Sequence, residues 1–530
     1  MKKTISLLLT FALVLSCIAL AACSGGSASP AKIEAKQSED KYRSYYQIWI
    51  WSFCDSDGDE IGDIKGITSK LDYINDGDPN GGDDLGADGI WLSPMMPSST
   101  YHKYNVEDYY AIDEEFGTME DFDEFLAAAH ERGIKVIIDL VLNHSGSGHE
   151  FFIKACEELR EGKEDGYARY YNFSKQRNQT YQHNVSGTSY YYQGDFWDQM
   201  PDWNLSYEGT REYFEDVTKF WLDKGVDGFR LDAVKCFKDA HTDGVEFLKW
   251  FYEMAKGYKE DVYMVGEDWE DTGSIYEYYE SGIDSLFNFK FATTTGEFVM
   301  ASHGMVEDMI KSLKKYDGNI KTHNPNAINA NFLTNHDMVR VANVLDEDEN
   351  KFAAALYMLA PGNSFTYNGE EIGIEAPNTT NDPSFRTAMI WDNDNLPVID
   401  VPSVSEVEEN ELGGVKQQLE RENSLLNTYR KLITLRLQNP AIARGDITDV
   451  VSFDDLRCAG FYIEYEGEKL LIIHNGNSEE KQVTIDMIKS PELRGFSVAS
   501  VNEDGSVSDV TLSGTTLTLP AKSSAILKEN

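Results

Sequence analysis

Basic side chains are scarce in this chain of 530 residues: 47 Lys and Arg stand against 91 Asp and Glu, a formal net charge of −44. That balance excludes nucleic acid and anionic lipid headgroups as partners, because holding phosphates needs clustered Lys and Arg. Cysteine is scarce too, with six residues and no CxxC pair, which argues against a thiolate zinc site. Cys54, Cys156, Cys236 and Cys458 are widely spaced, so a disulfide is permitted but not established. Internal repeats are absent, and the one low-complexity stretch is a short Gly/Ser-containing segment near the start, so a repeat architecture is excluded. What is present is apolar: 41 % hydrophobic and 12 % aromatic residues, enough for a large core and against a disordered chain. The length exceeds one ordinary core and predicts two or three domains.

Lys2 and Lys3 precede an apolar run from Ile5 to Leu15 that continues to Ala22. A charged head, greasy middle and small-residue end form a secretory signal, and the run is too short for a comfortable transmembrane span. Leu20-Ala21-Ala22-Cys23 resembles a bacterial lipobox, in which Cys23 becomes the lipid-bearing first residue of the mature chain. An ordinary secretion signal with an incidental Cys is the alternative. Residues 23–41 read as a flexible tether. The expectation is an extracytoplasmic protein reaching the membrane only through its N-terminal lipid, and otherwise a monomer.

From residue 44 onward short apolar strands alternate with amphipathic helices. The strands are expected at 46–53, 88–93, 135–142, 227–232, 262–266, 285–289, 329–334 and 363–367. Helices are expected at 118–132, 209–224, 243–257, 296–315, 349–359 and 422–438. Eight strands with intervening helices predict an α/β fold, a (β/α)8 TIM barrel over 42–440, with functional groups at the carboxyl ends of the strands. Residues 144–206 are too long for a plain loop and read as a subdomain inserted after the third strand. Residues 441–530 change to alternating β-type runs, a C-terminal antiparallel β-sandwich domain.

Four strand ends concentrate polar groups, the third running apolar from Val136, Asp139 apart, until Asn143 and His144 at its end. Arg230 and Asp232 are two apart, so on a strand both face the same side, and the guanidinium is expected to keep Asp232 ionised and lower its pKa. An ionised, oriented carboxylate suits a covalent nucleophile. Glu267, beside Asp268 and Trp269, is expected to have a raised pKa, which suits a general acid. The seventh strand ends Thr334-Asn335-His336-Asp337. A lone strand-end Asp is more often a cap or loop salt bridge; convergence on strands three, four, five and seven changes those odds. Two carboxylates with divergent pKa values, about 5–5.5 Å apart, would hydrolyse a glycoside with retention.

The segments Asp139–His144, Gly228–Lys235, Val265–Asp268 and Phe332–Asp337 resemble, in order, the conserved regions of the α-amylase family of glycoside hydrolases. Gly86–Pro94, Met200–Asn204 and Tyr367–Glu371 add to the resemblance, which covers about residues 44–530. It implies Asp232 as nucleophile, Glu267 as acid/base and Asp337 as stabiliser of the distorted sugar. It further implies Tyr104 as the stacking platform, His144 and His336 as hydroxyl binders, and Arg230 as the group orienting Asp232. Lys235 matches a residue used at the second sugar on the leaving-group side, and Arg340 a barrel-mouth Arg. Ala233 points to α-1,4 rather than α-1,6 bonds. Asn105 replaces the Asp that clamps a terminal glucose in exo-acting relatives, which favours an open cleft, whereas Arg386–Trp391 resembles the glucosidase-like branch. Endo-acting hydrolysis of α-1,4 bonds in starch and maltodextrins is the leading expectation. A neopullulanase-like or oligosaccharide α-glucosidase activity, or a non-catalytic glucan-binding lipoprotein, is the alternative.

Asp55, Asp57, Asp59 and Asp63, with the Ile61 carbonyl, put hard oxygens at positions 1, 3, 5, 9 and 7 of a loop, which suits structural Ca²⁺. It is no EF-hand: Glu60 occupies the glycine position. A loop of this kind occurs in the oligo-1,6-glucosidase branch. The calcium between barrel and inserted domain in many α-amylases is not carried over, because Cys236 stands where His is usual, although Asn143 matches another of its ligands.

Overall fold

The computed structural model describes residues 34–239, 241–269, 272–485, 497–501, 507–509 and 515–528. The leader, Cys23 and most of the tether lie outside the described residues. Residues 35–41, expected as the end of the tether, are instead docked on the barrel. Both backbone groups of Ala35 bond the Asn80 amide side chain, and Lys41 Nζ meets Asp284 at 2.7 Å.

Eight parallel strands form one sheet: β1 (Ser44–Ile48), β2 (Gly89–Leu92), β3 (Lys135–Leu140), β4 (Gly228–Leu231), β5 (Tyr263–Gly266), β6 (Ser285–Leu286), β7 (Ala330–Phe332) and β8 (Asn363–Tyr367). Strand β1 pairs with both β8 and β2, and a parallel bridge between Phe287 and Ala330 joins β6 to β7, closing the barrel. Seven strands fall within about three residues of their expected ranges; β1 ends at Ile48, five short of the expected 53, because Ile50–Ser52 turns into a 3-10 helix. The expected helix at 296–315 is two helices, Glu297–Ser302 and Val306–His323, with Gly304 between them at φ 112. Side-chain caps start three of the ring helices: Thr118 for Met119–Glu131, Asp243 for Gly244–Tyr258 and Ser424 for Leu425–Gln438.

The period-two alternation of the strands sorts two cores. Tyr45, Trp91, Ile137, Tyr263, Val265, Phe287, Phe332 and Phe365 fill the barrel interior. Their neighbours Tyr46, Ile90, Val136, Ile138, Phe229 and Met264 face the helices. One step further along the inward rows come polar residues: Asp139 after Ile137, Arg230 and Asp232 after Gly228, Glu267 after Val265. Gly228 is required there, since a Cβ would lie 1.9 Å from the Tyr263 carbonyl oxygen and force β4 off β5.

The segment after β3 carries a helix, Glu150–Arg160, and a three-stranded sheet of Phe173–Ser174, Tyr191–Gln193 and Tyr181–Asn184. Its aromatics mostly pack this small unit; Trp203 is buried and stacks on Tyr171 at 4.5 Å. The C-terminal region is a six-stranded antiparallel sheet facing a two-stranded one, Lys481–Thr484 with Thr516–Leu519. Leu471 and Ile473 point between these sheets, while Leu470 and Ile472 join the barrel's outer core. The four cysteines that follow the tether are free thiols.

Candidate active site

Arg230 has a fully buried side chain and organises the carboxyl ends of β3, β4 and β5. Its Nη1 donates to Asp139 Oδ1 (2.9 Å) and to Asp232 Oδ1 (2.6 Å). Its Nη2 lies 2.9 Å from Glu267 Oε2, out of line for a hydrogen bond. One guanidinium therefore touches both carboxylates. The backbone continues the link: Ala233, at φ 47, donates its N–H to Glu267 Oε2 at 3.1 Å. The sequence marks Ala233 as a specificity position; its left-handed turn joining the two strand ends carries no sequence signal beyond itself.

The third carboxylate, Asp337, sits after β7. Its Oδ1 accepts from Arg386 Nη2 at 2.7 Å and its Oδ2 lies 3.0 Å from His336 Nε2. Tyr104 joins the two halves, its hydroxyl 2.7 Å from His336 Nε2 and within 3.3 Å of Arg230 Nη1, its ring parallel to the imidazole. Asp232, Glu267, Asp337, Tyr104 and Arg386 line a cleft of about 580 Å³ with His144, Lys235, Phe196, Trp269 and His102, while Arg230 and His336 are buried behind it. A larger cavity of about 1010 Å³, bounded by the acidic stretch 406–412, contains none of the three carboxylates. The chemistry belongs to the smaller cleft.

Burial governs the titration of this cluster. Desolvation pushes Glu267 up to about 7 against the pull of Arg230, with the charges of Asp232 and Asp337 adding to it. Asp139 rises to about 7 for the same first reason. The expected lowering of Asp232 is corrected: burial outweighs the attraction of Arg230 and leaves its pKa raised. Asp337 goes the other way. Although burial opposes it, His336 and Arg386 hold it well below the usual carboxylate range. Burial lowers His144 to about 4, so its ring is neutral at ordinary pH. Divergent carboxyls in one cleft can split the roles of proton donor and anion.

One expected residue is misplaced. Arg340 is 2 % exposed and lies outside the described lining of the cleft, its Nε donating to the Phe385 carbonyl and its Nη1 to that of Asn368. It braces the backbone after β8 from below. Arg386, two residues past the short helix Asp382–Phe385's third position, is the arginine at the mouth: its Nη1 also donates to Tyr101 at 2.6 Å, and its guanidinium lies over Trp49. Arg386 and His102 sit on loops without periodicity, so the sequence alone gives neither a role. Asn105 is fully buried, with its amide on the Gln199 carbonyl.

In the acidic loop, carboxylate oxygens of Asp55, Asp57 and Asp63 lie within 4.8 Å of one another. No basic side chain forms an ion pair with them among the described residues. The donor set of hard oxygens fits a divalent cation such as Ca²⁺. Asp59 stays outside that group, its Oδ1 accepting from the Ile61 N–H at 2.9 Å. Asp63 also caps the helix Ile64–Ser69 through Gly66 N.

A family model described as "Alpha amylase, catalytic domain" matches residues 47–445. The chain belongs to the α-amylase family. It is therefore a glycoside hydrolase. It is similar to Alpha-amylase 3 of Dictyoglomus thermophilum, 35 % identical over 456 residues, covering 82 % of this chain and 85 % of that protein. It is also similar to a glucan 1,6-alpha-glucosidase of Streptococcus pneumoniae serotype 4, 29 % identical, with coverage of 86 % and 95 %. Among solved structures, Eubacterium rectale Amy13B superposes with a TM-score of 0.85 at 37 % identity, covering 94 % of this chain and 97 % of that one. α-Amylase-family relatives thus carry both α-amylase and 1,6-glucosidase names, and the family alone leaves the bond cleaved open.

Proposed function

We propose that the protein hydrolyses internal α-1,4 bonds of starch and maltodextrins with retention of configuration. The observation that carries this reading is the grip of one guanidinium on Asp232 and Glu267, at the ends of adjacent strands and inside a cleft. In the first step Asp232 attacks the anomeric carbon while protonated Glu267 gives its proton to the departing glycosidic oxygen. In the second, Glu267 takes a proton from water, which displaces Asp232 from the sugar. Asp337, kept anionic beside Arg386, accepts hydrogen bonds from the ring's hydroxyls, and Tyr104 stacks beneath it. His144 and Lys235 supply further polar contacts, and His336 steadies Tyr104 and Asp337 from behind.

Endo action is supported by what flanks the cleft. Phe196 and Trp269 are about half exposed, at 51 % and 45 %, and offer stacking faces for a chain running past the site. The carboxylate that would clamp a chain end at position 105 is an inward-turned Asn. The competing reading, cleavage of α-1,6 bonds from chain ends, draws on the names of several relatives. A time course on maltoheptaose, with isomaltose in parallel, separates the two. Mixed maltooligosaccharides appearing before glucose, with isomaltose intact, are expected; glucose alone from the first minutes overturns the endo reading.

We further propose that Asp55, Asp57 and Asp63 hold a structural Ca²⁺, whose charge relieves their mutual repulsion and pins the loop after β1. Chelation with EGTA is expected to lower the melting temperature by about 5 °C, restored by Ca²⁺, on the scale of a ligand present at about a hundred times its dissociation constant. Asp57→Asn should abolish that response; a melting temperature indifferent to EGTA contradicts the site. A lipid on Cys23, holding the enzyme outside the cytoplasm within reach of an α-glucan, completes the reading.

A further inference from the structure

Lys103 is an anomaly one residue from the catalytic platform. It is 1 % exposed, yet carries an ammonium, and its backbone sits at φ 60, where side chains with a Cβ are strained. Its Nζ reaches Asp113 Oδ2 at 2.8 Å and Glu115, with the Ser98 carbonyl at 3.5 Å. The same ammonium lies 5.6 Å from the ring centre of Trp51 and 5.4 Å from that of Phe116. Asp113 Oδ2 accepts in turn from Ser98 N at 3.0 Å, so the lysine and the start of its own loop share one carboxylate.

The flanking residues face the other way. His102 and Tyr104 both line the cleft, and the Tyr104 N–H donates to His102 Nδ1 at 3.2 Å. With the Lys103 stem drawn inward between two carboxylates and two aromatic rings, the left-handed turn presents its two neighbours to the cleft together. Tyr104 is the residue whose hydroxyl bridges His336, Asp139 and Arg230, so a tilt at 103 is passed to both carboxylate clusters.

We propose that Lys103 is a positioning residue: its buried ammonium, anchored on Asp113 and Glu115, locks the strained turn that holds His102 and Tyr104 against the sugar at the cleavage point. This rests on the reading of the cleft as a glucan site. Uncoupling the anchor acts on a geometry that matters most in the transition state, so it lowers kcat more than it changes KM.

The test compares wild type with Lys103→Met, Lys103→Arg and Lys103→Gly, and with Glu115→Gln as a variant that leaves the buried partner Asp113 in place. Steady-state kinetics on maltoheptaose is run well below each melting temperature, and amide hydrogen exchange is followed over residues 101–106. Lys103→Met is expected to lower kcat about 100-fold with KM within threefold, and to speed exchange of those amides about tenfold. Glu115→Gln should lower kcat about threefold, and Lys103→Arg should recover most of the loss. Lys103→Gly, which relieves the backbone strain but removes the anchor, should behave like Lys103→Met. Folded Lys103→Met with kcat and exchange unchanged overturns the proposal, as does Lys103→Gly with wild-type kcat. If wild type fails to hydrolyse any glucan, the functional reading falls, while the exchange data still decide whether Lys103 fixes the loop.

Discussion

Asp232→Asn is expected to lower kcat on maltodextrins by at least about 10⁴-fold, because the amide can neither attack the anomeric carbon nor be replaced by water at that position. The same substitution should leave the melting temperature equal to or above that of wild type. Asp232 is raised in pKa because burial and the charge of Asp337 act against its ionised form, with Arg230 only partly offsetting them. Removing one of several crowded anions relieves that repulsion, and Arg230 keeps Asp139 at 2.9 Å. An inactive but stabilised protein is the signature of a strained nucleophile. Calorimetry alongside the assay checks it; a large fall in melting temperature with the loss of activity would indicate a structural role instead.

Glu267→Gln is the second large effect, expected at about 10³-fold in kcat on glucans, within the range for general acid–base catalysis. The sign of the pH dependence follows from the proton. The acid works when protonated and burial sets its pKa near about 7, so wild-type kcat/KM falls as pH rises through that value; on the acid side it falls again where Asp232 takes up a proton. The Gln variant should lose that alkaline limb. On a substrate whose leaving group needs no proton, such as an α-maltosyl fluoride, the first step should persist, and added azide should restore turnover by replacing the water that Glu267 would activate. A pH profile with the alkaline limb intact in the variant assigns that limb to another group.

Much of this site is legible from the sequence because strands report their own alternation. Ile137 before Asp139, Gly228 before Arg230 and Asp232, and Val265 before Glu267 announce which polar side chains continue an inward row. The residues supplied by loops give no such signal. Arg386 and Arg340 lie 46 positions apart on irregular or short elements, and chain distance from Asp337 does not say which guanidinium turns toward it. Arg340 is claimed by the carbonyls of Phe385 and Asn368, which leaves Asp337 to Arg386. The raised pKa of Asp232 is hidden from the sequence for a related reason: pairing with Arg230 is readable there, whereas the depth of burial is set by the other strands of the barrel. Docking of residues 35–41 depends on an Asn 45 positions away, beyond any local pattern.

The proposed hydrolysis requires Asp232 and Glu267 to act on one sugar from opposite faces, which fixes the stereochemistry of the product. Proton NMR of the anomeric signals in the first minutes of maltoheptaose hydrolysis, before mutarotation, reads this directly. The α-anomer formed first is the predicted result. First-formed β-anomer would contradict it, since a single displacement by water requires the two carboxyls to stand about 6.5–9.5 Å apart rather than on one guanidinium.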